Sequence, residues 1–182
     1  DPMPELKKYA KQLNLPDLTG KTVLLKPNMV EFRPGSPVTT NPLALKAAFE
    51  LVDYLGAKEI IIGEGPGHMR DTEFLLEATG LGMMVKKLGT QFVDLNLDEL
   101  EALDISDGFS GLKKFYLPRT LMNADVVVSV PKMKTHHWVG ITASMKNFFG
   151  AVPGRKYGWP KNLLHIRGIP QCVLDLQGGR AE

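Results

Sequence analysis

The chain has 182 residues, of which 43% are hydrophobic and 23% are charged, and its formal net charge is +2. This composition is typical of one globular domain with a sizeable core, and it argues against long disordered segments. The net charge is small and the basic residues form no long run, so we expect no nucleic-acid partner.

The cysteine content and the hydropathy pattern exclude further classes of protein. Cys172 is the single cysteine, so this chain alone can form no internal disulfide, no cysteine-ligated zinc site and no iron–sulfur cluster. No segment reaches the ~18 consecutive apolar residues of a membrane span, and the first residues lack the apolar core of a signal peptide. We therefore expect a cytoplasmic location and no membrane partner.

The N-terminal third of the sequence predicts a β-α-β unit. After an amphipathic helix within residues 1–20, apolar residues predict a buried strand over 21–25. A helix follows, with Asn41 as its N-cap and Pro42 at its first position, and residues 59–62 form the next strand. The crossover should be right-handed and the two strands parallel.

Polar residues and glycines follow both of these strands. Lys26 and Asn28 come directly after the first strand, whereas Glu64 and Gly65 lie in a glycine-rich turn after the second, with His68 close behind. Ligands of open α/β sheets bind beyond the carboxyl ends of the strands, so we predict that these residues contribute to one site. The alternative is a plain strand exit followed by a purely structural turn.

The rest of the chain predicts further helices and strands around this unit. The loop over residues 31–41 is rich in proline, glycine and threonine, which predicts a mobile or lid-like segment. Asn41 at its end is a further candidate ligand residue. The acidic residues 98–104 predict a solvated, loosely structured connector. The predicted helices cover residues 72–78, 82–88 and 169–176, and the predicted strands cover 91–95, 113–117 and 126–130.

Together these elements predict an α/β fold. We expect a single domain over residues 1–182, with a mostly parallel, Rossmann-like sheet and helices on both of its faces.

A basic segment rich in hydroxyl groups follows the last predicted strand, which ends at Pro131. Its position predicts a site for a small anionic metabolite, either a carboxylate or a phosphate. Apolar residues between the polar ones favour a pocket over the alternative, a solvated loop, and a histidine adds a group for proton transfer. The candidate residues are Lys132, Lys134, Thr135, His136, Thr142, Ser144, Lys146 and Asn147.

The combination of these motifs resembles the domain of unknown function 362 family over nearly the whole chain. Members of that family often carry ferredoxin-like iron–sulfur modules, and the family domain usually continues further. The resemblance therefore implies a core fragment or a short member, with a ferredoxin-like module as partner. A second copy of the chain is the other candidate protein partner. The motifs are Lys26-Pro27-Asn28, Asn41-Pro42, Gly63-Glu64-Gly65, the run from Pro131 to His136, and Lys146-Asn147 with Gly150.

The order of the histidines and of one lysine is also similar, more distantly, to the nickel-pincer lactate racemases. This resemblance implies a nickel-type or other metal cofactor. Lys146 would be the lysine that holds the cofactor and His165 would ligate the metal. His68 and His136 would then be the acid/base pair.

These features lead to one expected function and two alternatives. We expect an enzyme that acts on a small carboxylated or phosphorylated metabolite, through racemase-like isomerisation or redox-linked chemistry. The first alternative is a non-catalytic module that binds anions. The second is a partner domain of an iron–sulfur electron-transfer protein.

Overall fold

The structure is a computed structural model that describes residues 3–67, 69–159 and 161–178. A short 3-10 helix, Phe148–Ala151, joins the elements of the C-terminal part. The elements in chain order are α1 (Met3–Gln12), β1 (Thr22–Pro27), α2 (Pro42–Tyr54), β2 (Glu59–Glu64), α3 (Thr72–Ala78), α4 (Leu81–Leu88), β3 (Phe92–Asp94), β4 (Leu100–Asp104), β5 (Lys114–Pro118), α5 (Arg119–Asn123), β6 (Val126–Val130), β7 (Lys134–His136), β8 (Gly140–Thr142), α6 (Ser144–Asn147), α7 (Gly154–Tyr157), α8 (Asn162–Ile166) and α9 (Ile169–Gly178).

A parallel four-stranded sheet with the order β3-β2-β1-β6 forms the centre of the fold. Leu24 of β1 lies opposite Ile61 on one side and Val127 on the other, and all three strand pairs are parallel. Apolar residues on both faces suit such a doubly covered sheet, and β1 is buried from Val23 onward. The predicted α/β fold and the parallel β-α-β unit are therefore confirmed.

Helices cover both faces of the sheet, as predicted. The β1 side chains alternate, so that Val23 and Leu25 belong to one hydrophobic cluster and Leu24 to the other. The first cluster includes residues of α2, α3 and α4, whereas the second is closed by α8, α9 and the 3-10 helix. Asn41 caps α2 as predicted, since its side chain accepts a hydrogen bond from the amide of Leu43 at 2.8 Å.

The prediction of a loose acidic connector over residues 98–104 is wrong. β4 occupies most of this segment and pairs antiparallel with β5, in a two-stranded sheet separate from the central one. Leu103 packs against the core, while Asp104 forms an ion pair with Lys114 at 3.1 Å across the two strands. Lys114 on the partner strand and Arg119 at the start of α5 thus balance three of the acidic residues, which the acidic segment alone does not reveal.

The basic segment after β6 is also more ordered than a loop. β7 and β8 form an antiparallel hairpin in which Lys134 lies opposite Thr142 and His136 opposite Gly140. This pairing brings candidate residues from both ends of the segment to one place. Across the described ranges, the helices lack the length and apolar character needed to span a bilayer.

Candidate functional site

A cleft of about 180 Å³ lies beside the carboxyl ends of β1 and β2, between the hairpin β7–β8 and the segment from α6 to α8. Most of the predicted site residues line this cleft, although they come from separate parts of the chain. Gly67, Phe149, Gly150 and Lys161 line it as well. The predicted residues that line it are Asn28, Glu64, Gly65, Lys134, His136, Thr142, Lys146, Asn147 and His165.

The other predicted residues lie elsewhere. Asn41 and Lys132 line a neighbouring groove formed with the loop over 31–41. Thr135 and Ser144 are exposed, and Ser144 lines an apolar groove on the outer side of α6. Lys26 lies beneath the cleft, and His68 lies outside the described residues, so the prediction for His68 stays a prediction.

A buried ion pair joins the carboxyl ends of the two central strands. Lys26 Nζ donates to Glu64 Oε1 at 2.5 Å and to the carbonyl of Pro27 at 2.9 Å, and the two residues are 0% and 1% exposed. Burial lowers the pKa of Lys26 and raises the pKa of Glu64, and the opposite charge of the partner offsets each shift. The pair therefore reduces the cost of burying each charge.

Asn147 fixes the position of α6 against this pair. Its side-chain NH₂ group donates to the carbonyl of Lys26 at 2.9 Å and to Ser129 Oγ at 3.0 Å. Its oxygen accepts from Asn28 Nδ2 at 3.2 Å and from Lys26 Nζ at 3.3 Å. Because all four bonds reach β1, β6 or the residue after β1, the neighbouring Lys146 is held at the cleft wall.

Two lysines of the cleft are held by neutral oxygens. Lys134 Nζ donates to Asn28 Oδ1 and to the carbonyl of Val38, both at 2.7 Å, and burial lowers its pKa. Lys161 Nζ donates to the carbonyls of Phe149 and Gly150, both at 2.9 Å. An ammonium group has three N–H donors, so each of these two lysines keeps one donor for a ligand.

Lys161 is the site residue that sequence reasoning missed. It is 3% exposed, and burial, with nearby Lys26 and Lys146, lowers its pKa to about 7 although Glu64 acts in the opposite direction. No local motif marks it. The only signal in the sequence is a lysine within an aromatic, proline-containing loop, and such a loop gives no indication that its lysine is buried.

Lys146 has a different environment from the other cleft lysines. Its side chain is partly buried, and its Nζ lies 4.6 Å from the centre of the Phe149 ring. In the described part of the chain, this ammonium has no oxygen acceptor within hydrogen-bond distance. Burial, with a smaller contribution from Lys134 and Lys26, lowers the pKa of Lys146 to about 8.

The two histidines of the cleft have opposite tautomers in their neutral forms. The amide of Trp138 donates to His136 Nδ1 at 3.2 Å, so the proton of the neutral ring is on Nε2. Burial, Lys146 and the neighbouring histidines lower the pKa of His136 to about 4, so this ring is neutral at pH 7. His165 Nδ1 lies 2.9 Å from the carbonyl of Lys161, which can only accept, so its Nε2 carries the lone pair.

Two buried polar atoms point to a polar ligand. Glu64 Oε2 and Thr142 Oγ1 have no hydrogen-bond partner among the described residues, and both residues line the cleft. Leaving such atoms unsatisfied costs about 1–3 kcal/mol each, so a ligand with polar groups would stabilise this arrangement.

The described residues do not provide a metal centre. Within the described ranges, no group of three or more histidine, cysteine, aspartate or glutamate side chains is placed to hold a metal ion. The positive charges of Lys134 and Lys146 in the same cleft also oppose the binding of a further cation. The described residues therefore give no basis for a metal-dependent reaction. The role of His165 as a metal ligand stays a prediction.

The fold and the cleft define an α/β protein with a lysine-rich site at the carboxyl edge of a parallel sheet. Residues 23–180 match the family described as "Domain of unknown function (DUF362)". The chain belongs to this family, as its motifs predict, whereas the resemblance to lactate racemases stays a prediction.

A curated relative supports the family assignment. The chain is 34% identical over 141 residues to the "Thylakoid-associated protein sll1697" of Synechocystis sp.. The match covers 77% of this chain and 42% of the relative, so the chain spans less than half of the relative's length.

Gly150 allows the 3-10 helix to approach the buried ion pair. A Cβ atom at this position would lie 2.6 Å from Glu64 Oε1 and 2.9 Å from Lys26 Nζ. We expect Gly150→Ala to lower the free energy of unfolding by about 1–3 kcal/mol, measured by urea denaturation, because the two side chains are buried and a shift would weaken the hydrogen bonds of Lys26. Gly67→Ala is the matched control, since its Cβ would meet no described atom within 4 Å. Equal stability of the two variants would contradict this account.

The ion pair itself can be tested with a double substitution. Lys26→Met leaves Glu64 buried without its partner, and we expect a loss of about 3–5 kcal/mol in the free energy of unfolding. Lys26→Met combined with Glu64→Gln removes both charges and should recover most of this loss. A double variant as unstable as the single one would show that the cost comes from packing rather than from an unpaired charge.

Proposed function

We propose that the protein is an enzyme that binds a small organic anion, a carboxylate or a phosphate, in the cleft and transfers a proton there. One observation carries this proposal. Lys134, Lys146 and Lys161 line the cleft, whereas Glu64, the one acidic residue among its described lining residues, is already paired with Lys26. The cleft therefore has a surplus of positive charge that an anion would neutralise.

The size of the cleft supports a small ligand. Its volume of about 180 Å³ is below the roughly 300–1,000 Å³ of pockets that bind drug-sized molecules. A metabolite with a few non-hydrogen atoms fits this volume better than a nucleotide does.

The protonation states around the cleft support proton transfer over simple binding. Lys146, with its pKa lowered to about 8, changes its charge near neutral pH. His136 offers an N–H donor at Nε2. A non-catalytic module would need the positive charges but no group that titrates near neutrality, so the Lys146 environment favours an enzyme.

The same proposal includes the location and the partner of the protein. We propose a cytoplasmic location, which the lack of any cysteine pair supports. A small anionic metabolite is the proposed partner rather than nucleic acid, in accord with the net charge of +2. The thylakoid association in the relative's name describes that longer protein, and no contact in the described residues favours it for this chain.

Anion binding can be tested by calorimetry with oxalate and inorganic phosphate. Because the ammonium form of Lys146 attracts an anion, we expect the affinity to fall as the pH rises through about 8. Lys146→Met should weaken binding about tenfold to a hundredfold at pH 7, since one charged contact is lost. It should also remove the part of the pH dependence near pH 8 and leave the part that Lys161 contributes near pH 7. Lys132→Met is the matched control, because Lys132 lies outside the cleft. Absence of binding by both anions would overturn the proposal.

Proton transfer can be tested separately by exchange in deuterium oxide. We expect the protein to exchange a carbon-bound hydrogen next to the carboxyl or carbonyl group of a small acid, followed by nuclear magnetic resonance. Lys146→Met should lower the rate by about 10²–10⁴-fold, the usual contribution of a general acid or base, whereas Lys132→Met should not change it. Oxalate binding without exchange of any acid in a panel of 2-hydroxy and 2-oxo acids would favour the non-catalytic alternative.

A further inference from the structure

We propose that Lys146 is a nucleophile that forms an imine with the carbonyl carbon of a small 2-oxo acid bound in the cleft. This inference rests on the proposed function, because the carboxylate of the 2-oxo acid is the anion that the cleft would bind. It adds a covalent step and a substrate class.

The hydrogen bonds of the lysines around the cleft single out Lys146. Lys26 Nζ has three oxygen acceptors, on Pro27, Glu64 and Asn147. Lys134 and Lys161 each donate to two oxygens. These hydrogen bonds hold the three nitrogens against protein oxygens. Lys26 and Lys161 are also 0% and 3% exposed, so burial limits the approach of a carbonyl carbon to either of them, although the pKa of Lys161 is lowered to about 7. Lys146, which has no oxygen acceptor among the described residues, is therefore the cleft lysine best suited to act as a nucleophile.

The position of Lys146 is fixed without a hydrogen bond to its nitrogen. Asn147, the next residue along the chain, is held by four hydrogen bonds to β1, β6 and Asn28. The Phe149 ring lies 4.6 Å from Lys146 Nζ on the cleft wall. A nucleophile held in this way loses little conformational freedom when it reacts.

The surrounding charges make the neutral amine accessible near neutral pH. Burial, Lys134 and Lys26 lower the pKa of Lys146 to about 8, so a substantial fraction of the amine is unprotonated in mildly basic solution. The titratable groups that face this part of the cleft are Lys26 on β1, Glu64 on β2, Lys134 and His136 on β7, and Lys161 and His165 at α8.

The ligand would be oriented by the donors that remain. Lys134 and Lys161 each keep one N–H for the carboxylate of the 2-oxo acid. His136 Nε2–H is a donor for the oxygen of the carbonyl group that reacts. These contacts would direct the carbonyl carbon toward Lys146, which lines the same cleft.

The step balances without an oxidant or a reductant. The lone pair of the Lys146 amine forms a bond to the carbonyl carbon, and the carbon–oxygen π electrons move to oxygen, which takes a proton. The resulting carbinolamine loses this hydroxyl group and the remaining nitrogen-bound proton as water. One amine and one ketone thus give one imine and one water, and protonation of the imine nitrogen draws electrons from the adjacent carbon.

The test is reductive trapping of the full chain with pyruvate and sodium cyanoborohydride. We expect the intact mass to increase by one reduced pyruvate adduct, and peptide mapping to place the adduct on Lys146. The trapping rate should rise as the pH passes about 8, because the neutral amine reacts, whereas oxalate affinity should fall over the same range. This opposite dependence separates the covalent step from anion binding.

Two variants complete the experiment. Lys146→Arg keeps the positive charge and removes the nucleophile, so it should bind oxalate within a few-fold of the wild-type affinity but give no adduct. Lys132→Arg, the control outside the cleft, should react like the wild type. Loss of the adduct in Lys146→Arg alone supports the inference. An adduct that persists in Lys146→Arg, that spreads over surface lysines, or that never forms in a protein that binds oxalate would overturn it and leave the proposed function standing. Failure to bind either oxalate or inorganic phosphate would overturn the proposed function as well.

Discussion

The buried contact between Lys26 and Glu64 is the constraint on which the arrangement of the cleft depends. The two residues stand at the carboxyl ends of the adjacent strands β1 and β2, and neither charge is accessible to solvent. Separating them would leave a buried charge uncompensated, which keeps the two strand ends in register. Gly150 packs directly over the pair, so its position also determines where the 3-10 helix and the Phe149 ring lie. The position of the cleft wall beside Lys146, which includes the Phe149 ring, thus depends on this one ion pair.

Neutral oxygens, rather than carboxylates, hold Lys134 and Lys161 in the cleft. The carbonyls of Val38, Phe149 and Gly150 accept hydrogen bonds from Lys134 and Lys161 without cancelling their charges. A carboxylate in the same place would raise the pKa of the lysine and neutralise the site. Backbone carbonyls instead fix the positions of the two ammonium groups and leave their positive charges in place. Burial is the largest cause of the lowered pKa values of Lys146 and Lys161, and neighbouring lysines add to it.

The parts of the site that follow from strand topology could be predicted from the sequence. Apolar strand patterns end at Lys26, Asn28 and Glu64. Parallel strands bring their carboxyl ends to one edge of the sheet, independently of the conformation of the connecting loops. The burial of Lys161 could not be predicted in this way, because it depends on how a distant loop packs against the 3-10 helix. The pairing of β4 with β5 was missed for a related reason. Its acidic residues look solvated until Lys114 of the partner strand and Arg119 of α5 are placed beside them.

Lys161 combines two unfavourable features at one position. Its φ angle is 73°, in the left-handed region that favours glycine, and its side chain is buried with a pKa lowered to about 7. Backbone strain of this kind costs on the order of 1–3 kcal/mol, and the desolvation of the amine adds to it. Glycine would relieve both costs at once but would remove a charge from the cleft. Selection for a higher melting temperature would therefore favour replacement of Lys161. The same replacement would remove a positive charge from the cleft, so stability and the charge of the site make opposite demands on this residue.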